Sequence, residues 1–99
     1  MNPGPPTNYT VAHSQLVEER FLELVQRATE LGIRSLFLRA ARYTYDELRY
    51  APAQFGESRE HLPHMELELR IAFAPPLYVE FAVHEQSRQV FIRRFGMLG

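Results

Sequence analysis

Two stretches of the chain repeat apolar residues at the spacing of an amphipathic helix. The first is predicted to run from Gln15 to Leu31, with Ser14 as its N-cap and Gly32 as the residue that ends it in a left-handed conformation. Its apolar stripe consists of Val17, Phe21, Leu24, Val25, Ala28 and Leu31. The stripe of the second helix, which ends before Pro52, consists of Phe37, Ala40, Ala41, Thr44, Tyr45 and Leu48. Because the connection at 33–35 is short, we expect the two helices to run antiparallel.

After Pro63 the apolar spacing changes from 3.6 residues to two, which is typical of strands. The first row is predicted to be the buried face of its strand and consists of Leu67, Leu69, Ile71 and Phe73. The second row follows Pro75-Pro76 and consists of Leu77, Val79, Phe81 and Val83. A polar loop at 84–88 then leads to a last strand from Val90 to Phe95, whose consecutive apolar residues suggest cover on more than one side. The segment 52–64 has no clear periodicity and is expected to be a loop crossing from the helices to the sheet.

The order of these elements predicts an α+β fold. Tyr9, Val11 and His13 indicate a short N-terminal strand, which precedes the antiparallel helical hairpin and a three-stranded antiparallel β-meander. The helices are expected to cover one face of the meander. Residues 1–8 are rich in proline and glycine and are expected to be a flexible leader, while residues 9–99 form a single domain.

Composition narrows the possible chemistry. There is no cysteine, so disulfides and thiolate metal sites are excluded, and all 11 basic residues are arginine, so a lysine nucleophile is excluded as well. No apolar run is long enough to span a bilayer and no signal sequence is visible, so we expect a cytoplasmic protein without a membrane partner. A formal net charge of −1 gives no general attraction to phosphate, so nucleic-acid binding requires a local basic patch.

Several segments resemble the RelE/ParE superfamily of bacterial toxin-antitoxin and plasmid-stabilisation systems. They are Ala28 to Gly32, Phe55-Gly56-Glu57, Pro75 to Glu85 and Val90 to Arg94, and the resemblance covers Tyr9 to Leu98. It implies a toxin of a type II pair that either cleaves messenger RNA in the ribosomal A site or inhibits DNA gyrase. It also implies a cognate antitoxin that lies over the sheet or the helical hairpin, and no cofactor.

The resemblance also suggests where catalytic residues would lie. Cleaving members use basic residues on the sheet, with a C-terminal tyrosine or histidine in some, so the candidate catalytic residues here are Arg70, Tyr78, Arg93 and Arg94. The match is incomplete, because Tyr78 stands where cleaving members carry an arginine and the last strand is followed by Met97 and Leu98. Gyrase inhibition needs no catalytic residues on the toxin, so these departures count less against it.

Each candidate group also has a simpler interpretation. Arg70, Arg88 and one of Arg93 and Arg94 could form a phosphate-binding patch on the open side of the sheet beside Tyr78, or they could form cross-strand ion pairs with glutamates. The glutamates available for such pairs are Glu66, Glu68 and Glu80. The simpler interpretation predicts small contributions to stability and no catalysis.

Three other groups have two interpretations each. His61, His64 and His84 could bind a metal or exchange protons, but they lie in loops without the H-E-x-x-H pattern, so polar loop residues and no metal site are expected. Glu57 and Glu60 could act in acid/base chemistry, but they are expected to be solvated loop carboxylates. The second helix interleaves tyrosines with arginines that could contact bases or an acidic protein, although some of the rings are expected to be core. These residues are Tyr43, Tyr45, Tyr50, Arg39, Arg42 and Arg49.

The sequence therefore supports three hypotheses. The first is a toxin neutralised by its antitoxin, and the second is a protein of the same fold that binds proteins without toxicity. The third is an active ribosome-dependent ribonuclease that uses Arg70 with Arg93 or Arg94.

Overall fold

The computed structural model describes residues 8–98 and has an α+β fold of two helices and a five-stranded mixed sheet. The elements in chain order are β1 (Thr10–His13), α1 (Gln15–Glu30), α2 (Arg34–Tyr50), a 3-10 turn (Pro52–Gln54), β2 (Glu57–Leu62), β3 (Leu67–Ala74), β4 (Leu77–His84) and β5 (Gln89–Met97). The predicted leader lies outside the described residues, apart from Asn8. Within residues 8–98, neither helix has the length and apolar character needed to cross a membrane.

The signals at the ends of α1 are confirmed. The side-chain oxygen of Ser14 accepts a hydrogen bond from the amide of Val17 at 3.2 Å, which satisfies one of the free donors of the first turn. Gly32 follows the last helical residues with a φ of +76°, in the left-handed region where a side chain is strained. These two local signals set the length of α1 and hence the position where the chain turns back into α2.

The sheet has the strand order β1-β5-β4-β3-β2. β1 pairs in parallel with β5, and the other pairs are antiparallel. The expected loop at 52–64 is wrong in part, because Glu57–Leu62 is a fourth antiparallel strand that pairs with β3. This strand lies at the sheet edge with almost all its residues exposed, so it carries no alternation of apolar and polar residues that would reveal it.

The two-residue turn at Pro75-Pro76 pairs Ala74 with Leu77 and Phe73 with Tyr78. Since paired residues point to the same side of a sheet, Leu77 and Ala74 face the helices while Phe73 faces away from them. The prediction that the row from Leu67 to Phe73 is the face buried against the helices is therefore wrong. The helix side of β3 instead carries Glu68, Arg70, Ala72 and Ala74.

The core lies between the helices and the sheet and has two clusters of buried side chains. One joins α1 and α2 to the middle of the sheet and consists of Val17, Leu48, Phe55, Ala72, Val79, Phe81, Val83, Val90 and Ile92. The other lies where the two helices meet and consists of Leu24, Ala28, Phe37 and Leu77. Phe95 packs against both clusters from β5.

Gly56 should be the glycine that tolerates substitution least. Its φ is +71°, and a Cβ there would lie 2.7 Å from the Cα of Ala72 on β3. Gly32 has a similar φ of +76°, but a Cβ there meets nothing within 4 Å. We expect Gly32→Ala to lower the free energy of unfolding by about 1 kcal/mol through backbone strain, and Gly56→Ala to lower it by about 3 kcal/mol through strain and overlap together.

Urea denaturation of both variants measures the difference. Equal losses at the two glycines would contradict the close contact between Gly56 and β3.

Candidate binding surface

Arg70 has a structural position. Its side chain is 8% exposed and points to the helix side of the sheet, opposite Phe81 on β4. Nε donates to the carbonyl oxygen of Phe55 at 3.0 Å and Nη2 donates to that of Gly56 at 2.9 Å. Nη1 donates to the Glu68 carboxylate at 3.0 Å. The guanidinium thus joins β3 to the segment that leads into β2, and the prediction that it lies on the open side beside Tyr78 is wrong.

Tyr78 and Arg94 lie side by side on the side of the sheet that faces away from the helices. The Cζ atom of Arg94 is 5.9 Å from the centre of the Tyr78 ring, and Nη1 is 3.5 Å from a carboxylate oxygen of Glu80. The ring of Tyr78 also lies across Gly96, where a Cβ would meet the ring atoms. The cross-strand pairing predicted for Glu80 is confirmed, and it leaves Arg94 with a carboxylate beside it.

The other two arginines of the predicted patch lie elsewhere. Arg93 is the extra residue at a β-bulge, where the pairing shifts between Glu80 and Phe81, and it is exposed. Arg88 lies in the turn before β5, with its Cζ atom 5.3 Å from the centre of the Tyr9 ring. The structure therefore brings together only Tyr78 and Arg94 of the four candidate catalytic residues.

The remaining candidates form no cluster. Nδ1 of His84 forms a hydrogen bond of 2.6 Å with the hydroxyl of Ser87. Its Nε2 lies 3.7 Å from the Glu66 carboxylate. Between residues 8 and 98, no three histidine, aspartate or glutamate side chains are grouped so that they could hold a metal ion. Glu57 and Glu60 are exposed on β2, which is a strand and not the expected loop.

The tyrosines of α2 are all exposed, so the expectation that some of them are core is wrong. The Cζ atom of Arg49 is 5.4 Å from the ring centre of Tyr50 and 6.0 Å from that of Tyr45. Tyr43 contacts Phe55 edge to face, with ring centres 6.0 Å apart. The exposed surface of α2 is therefore a mixture of polar and aromatic side chains in which Arg49 lies near the rings of Tyr45 and Tyr50.

The side of the sheet away from the helices carries exposed apolar residues. We call it the open face and define it by Leu69, Ile71, Phe73, Tyr78, Ala82 and Phe91, which the strand pairing places on one side of β3, β4 and β5. Phe73 is 49% exposed and its ring centre is 6.2 Å from that of Tyr78. Phe91 is also exposed, whereas Ile71 and Ala82 are buried beneath their neighbours.

The open face has a regular arrangement across the strands. One row pairs Phe73 with Tyr78, and another joins Leu69 to Ala82 and Phe91. The Glu80 and Arg94 ion pair lies between these rows. An antiparallel sheet normally has a polar face toward solvent, whereas this sheet carries apolar rows on both faces.

Comparison of the chain with models of protein families, with curated proteins and with solved structures finds no match in any of the three.

Replacing Arg70 distinguishes its structural position from a catalytic one. Arg70→Met should lower the free energy of unfolding by about 3 kcal/mol, because two backbone carbonyls and Glu68 lose their donor. Arg70→Lys should lose most of this stability as well, since an ammonium group lacks the fork that reaches both carbonyls.

Arg94→Met is the matched control. Its ion pair is exposed, so the change should stay within about 0.5 kcal/mol in the same urea titration. If Arg70→Met proved as stable as Arg94→Met, the structural role of Arg70 would be refuted.

Proposed function

We propose that this chain is the toxin of a bacterial type II toxin-antitoxin pair of the RelE/ParE kind and that it acts by binding a target protein in the cytoplasm. Two features support the family: the resemblance in sequence from Tyr9 to Leu98, and a chain order of one strand, two helices and then antiparallel strands. The observation that carries the mode of action is the apolar open face, with Phe73 exposed in one of its two apolar rows and Phe91 exposed in the other.

Protein binding accounts for this surface better than RNA cleavage does. Cleavage requires concentrated positive charge at the scissile phosphate, to stabilise the charge that develops there. On the open face, Arg94 is paired with Glu80, and Arg70 points to the opposite side of the sheet. Aromatic and aliphatic side chains around one ion pair are instead typical of the centre of a protein interface.

The partner should have a matching character. We propose that the cognate antitoxin lays an amphipathic segment over the open face, with apolar side chains against the rows of Phe73 and Phe91. Polar side chains of that segment would meet Glu80 and Arg94 between the rows. The cellular target, of which DNA gyrase is the example from the family, would compete for the same surface.

A protein-binding domain without toxicity is the second candidate, and the same exposed face supports it. The two functions differ in the cell. Induced expression of the toxin should arrest growth, and expression of the product of a neighbouring reading frame should restore growth, whereas the non-toxic domain should leave growth unchanged.

Two assays on the purified protein then separate the modes of action. We expect inhibition of DNA supercoiling by gyrase and no cleavage of messenger RNA on ribosomes. Cleavage that is lost on changing Arg93 and Arg94 to alanine would contradict our proposal and support the ribonuclease. Normal growth with well-folded protein would exclude the toxin hypothesis and favour the protein-binding domain without toxicity.

Phe73→Asp tests the surface itself. A charge in the apolar row of Phe73 and Tyr78 should weaken binding of the antitoxin at least about tenfold, because the carboxylate must be desolvated in the complex. The fold should survive, since Phe73 is half exposed in the free protein. Isothermal titration with the neighbouring gene product measures the affinity.

Leu16→Asp serves as the control, because Leu16 is exposed on the first turn of α1, away from the sheet. It should leave the affinity unchanged. Unchanged binding by Phe73→Asp would show that the antitoxin covers another surface.

A further inference from the structure

A cavity of about 410 Å³ lies between the two helices and β5. Phe21 of α1, Leu48 of α2, and Ile92 and Phe95 of β5 form much of its wall. The volume falls within the range of about 300 to 1,000 Å³ that is typical of small-molecule sites. The cavity is open to solvent on one side, where Leu22 and Tyr45 of its wall are exposed.

The cavity lies where the two core clusters approach each other. Leu48 and Ile92 belong to the cluster over the middle of the sheet, and Phe21 packs against the cluster at the helix crossing. Phe21 contacts both Phe37 and Phe95, with ring centres 5.7 and 5.2 Å apart. Phe21 thus joins α1 to both α2 and β5 at the wall of the cavity.

Thr44 supplies a polar group in this apolar wall. The residue is 2% exposed and lines the cavity, and its hydroxyl oxygen is a buried side-chain atom without a hydrogen-bond partner among residues 8–98. A threonine inside a helix usually bonds back to the carbonyl four residues earlier, or faces solvent. A buried hydroxyl with neither partner costs free energy, and a rotation about χ1 to another staggered position would bring it within reach of a molecule in the cavity.

The wall also carries the imidazole of His13 from β1 and one charged residue from each helix. Glu18 comes from α1 and Arg42 from α2, and both are exposed. Neither has an ion-pair partner within 4.0 Å in the described part of the chain, and their opposite charges cancel. The cavity therefore offers a charged ligand no net charge of the opposite sign, and the neutral hydroxyl of Thr44 cannot compensate for a buried charge.

We propose that this cavity binds a neutral aromatic molecule of about two rings that carries one hydroxyl or carbonyl group, with Thr44 as its hydrogen-bond partner. The apolar walls bury the rings and the hydroxyl of Thr44 gains the bond that the free protein lacks. Such a ligand would also fill the space between the two core clusters and so stabilise the helices on the sheet. This inference does not depend on toxicity or on the open face.

The test compares 2-naphthol with 2-methylnaphthalene, which has the same rings and a methyl group in place of the hydroxyl. Titration of the full chain, followed by NMR shifts, should show saturable binding of both, with 2-naphthol bound about tenfold more tightly. The shifts should centre on Phe21, Thr44 and Phe95.

Two variants at one position isolate the hydroxyl. Thr44→Val should abolish the preference for 2-naphthol while keeping the affinity for 2-methylnaphthalene, and it should raise the melting temperature of the free protein. Thr44→Ser keeps a hydroxyl and should keep the preference.

Two further variants fill the cavity from opposite walls. Ala41→Leu and Leu22→Phe should each weaken the binding of both ligands. Either variant suffices for the test if the other does not fold. Absence of saturable binding of either compound to the folded wild type would overturn the proposal. A preference for 2-naphthol that persists in Thr44→Val would overturn the role of Thr44.

Discussion

The two-residue turn at Pro75-Pro76 decides which side of the sheet every residue of β3 faces. It pairs Ala74 with Leu77, and because Leu77 lies in the core beneath the helices, Ala74 must face the helices too. The alternation of the strand then places Ala72 and Arg70 on the helix side, and Ile71 and Phe73 on the other. A turn longer by one residue would reverse this arrangement.

Two consequences follow from this register. Arg70 lies in the core, where two of its three hydrogen bonds tie β3 to the segment at Phe55 and Gly56 and so anchor the edge strand β2. The apolar side chains of β3 lie on the open face, beside Tyr78 and Phe91 of the neighbouring strands. One constraint therefore removes the main candidate for catalytic charge from the open face and creates the apolar surface to which we assign partner binding.

The sequence predicts the helices well, because their signals are local: Ser14 caps α1 and Gly32 ends it. It fails for β2, since an exposed edge strand carries no apolar alternation. It also fails for Arg70, because the alternation within one strand does not show which face of the sheet that strand shares with the next. The rows ending at Phe73 and starting at Leu77 both lie on odd positions, so a two-residue turn forces them onto opposite faces. That the hydroxyl of Thr44 has no hydrogen-bond partner among residues 8–98 depends on packing and has no signal in the sequence.

Labelling of single introduced cysteines tests most directly which residues of β3 point toward the helices. The chain has no cysteine of its own, so the label reports on the introduced position. Ala72→Cys and Phe73→Cys are neighbours on the strand and should differ sharply in their rates of reaction with a maleimide under native conditions. We predict rapid labelling at position 73 and labelling at position 72 that requires unfolding. Fast reaction at 72 with protection at 73 would contradict the register of the sheet, the burial of Arg70 and the open face together.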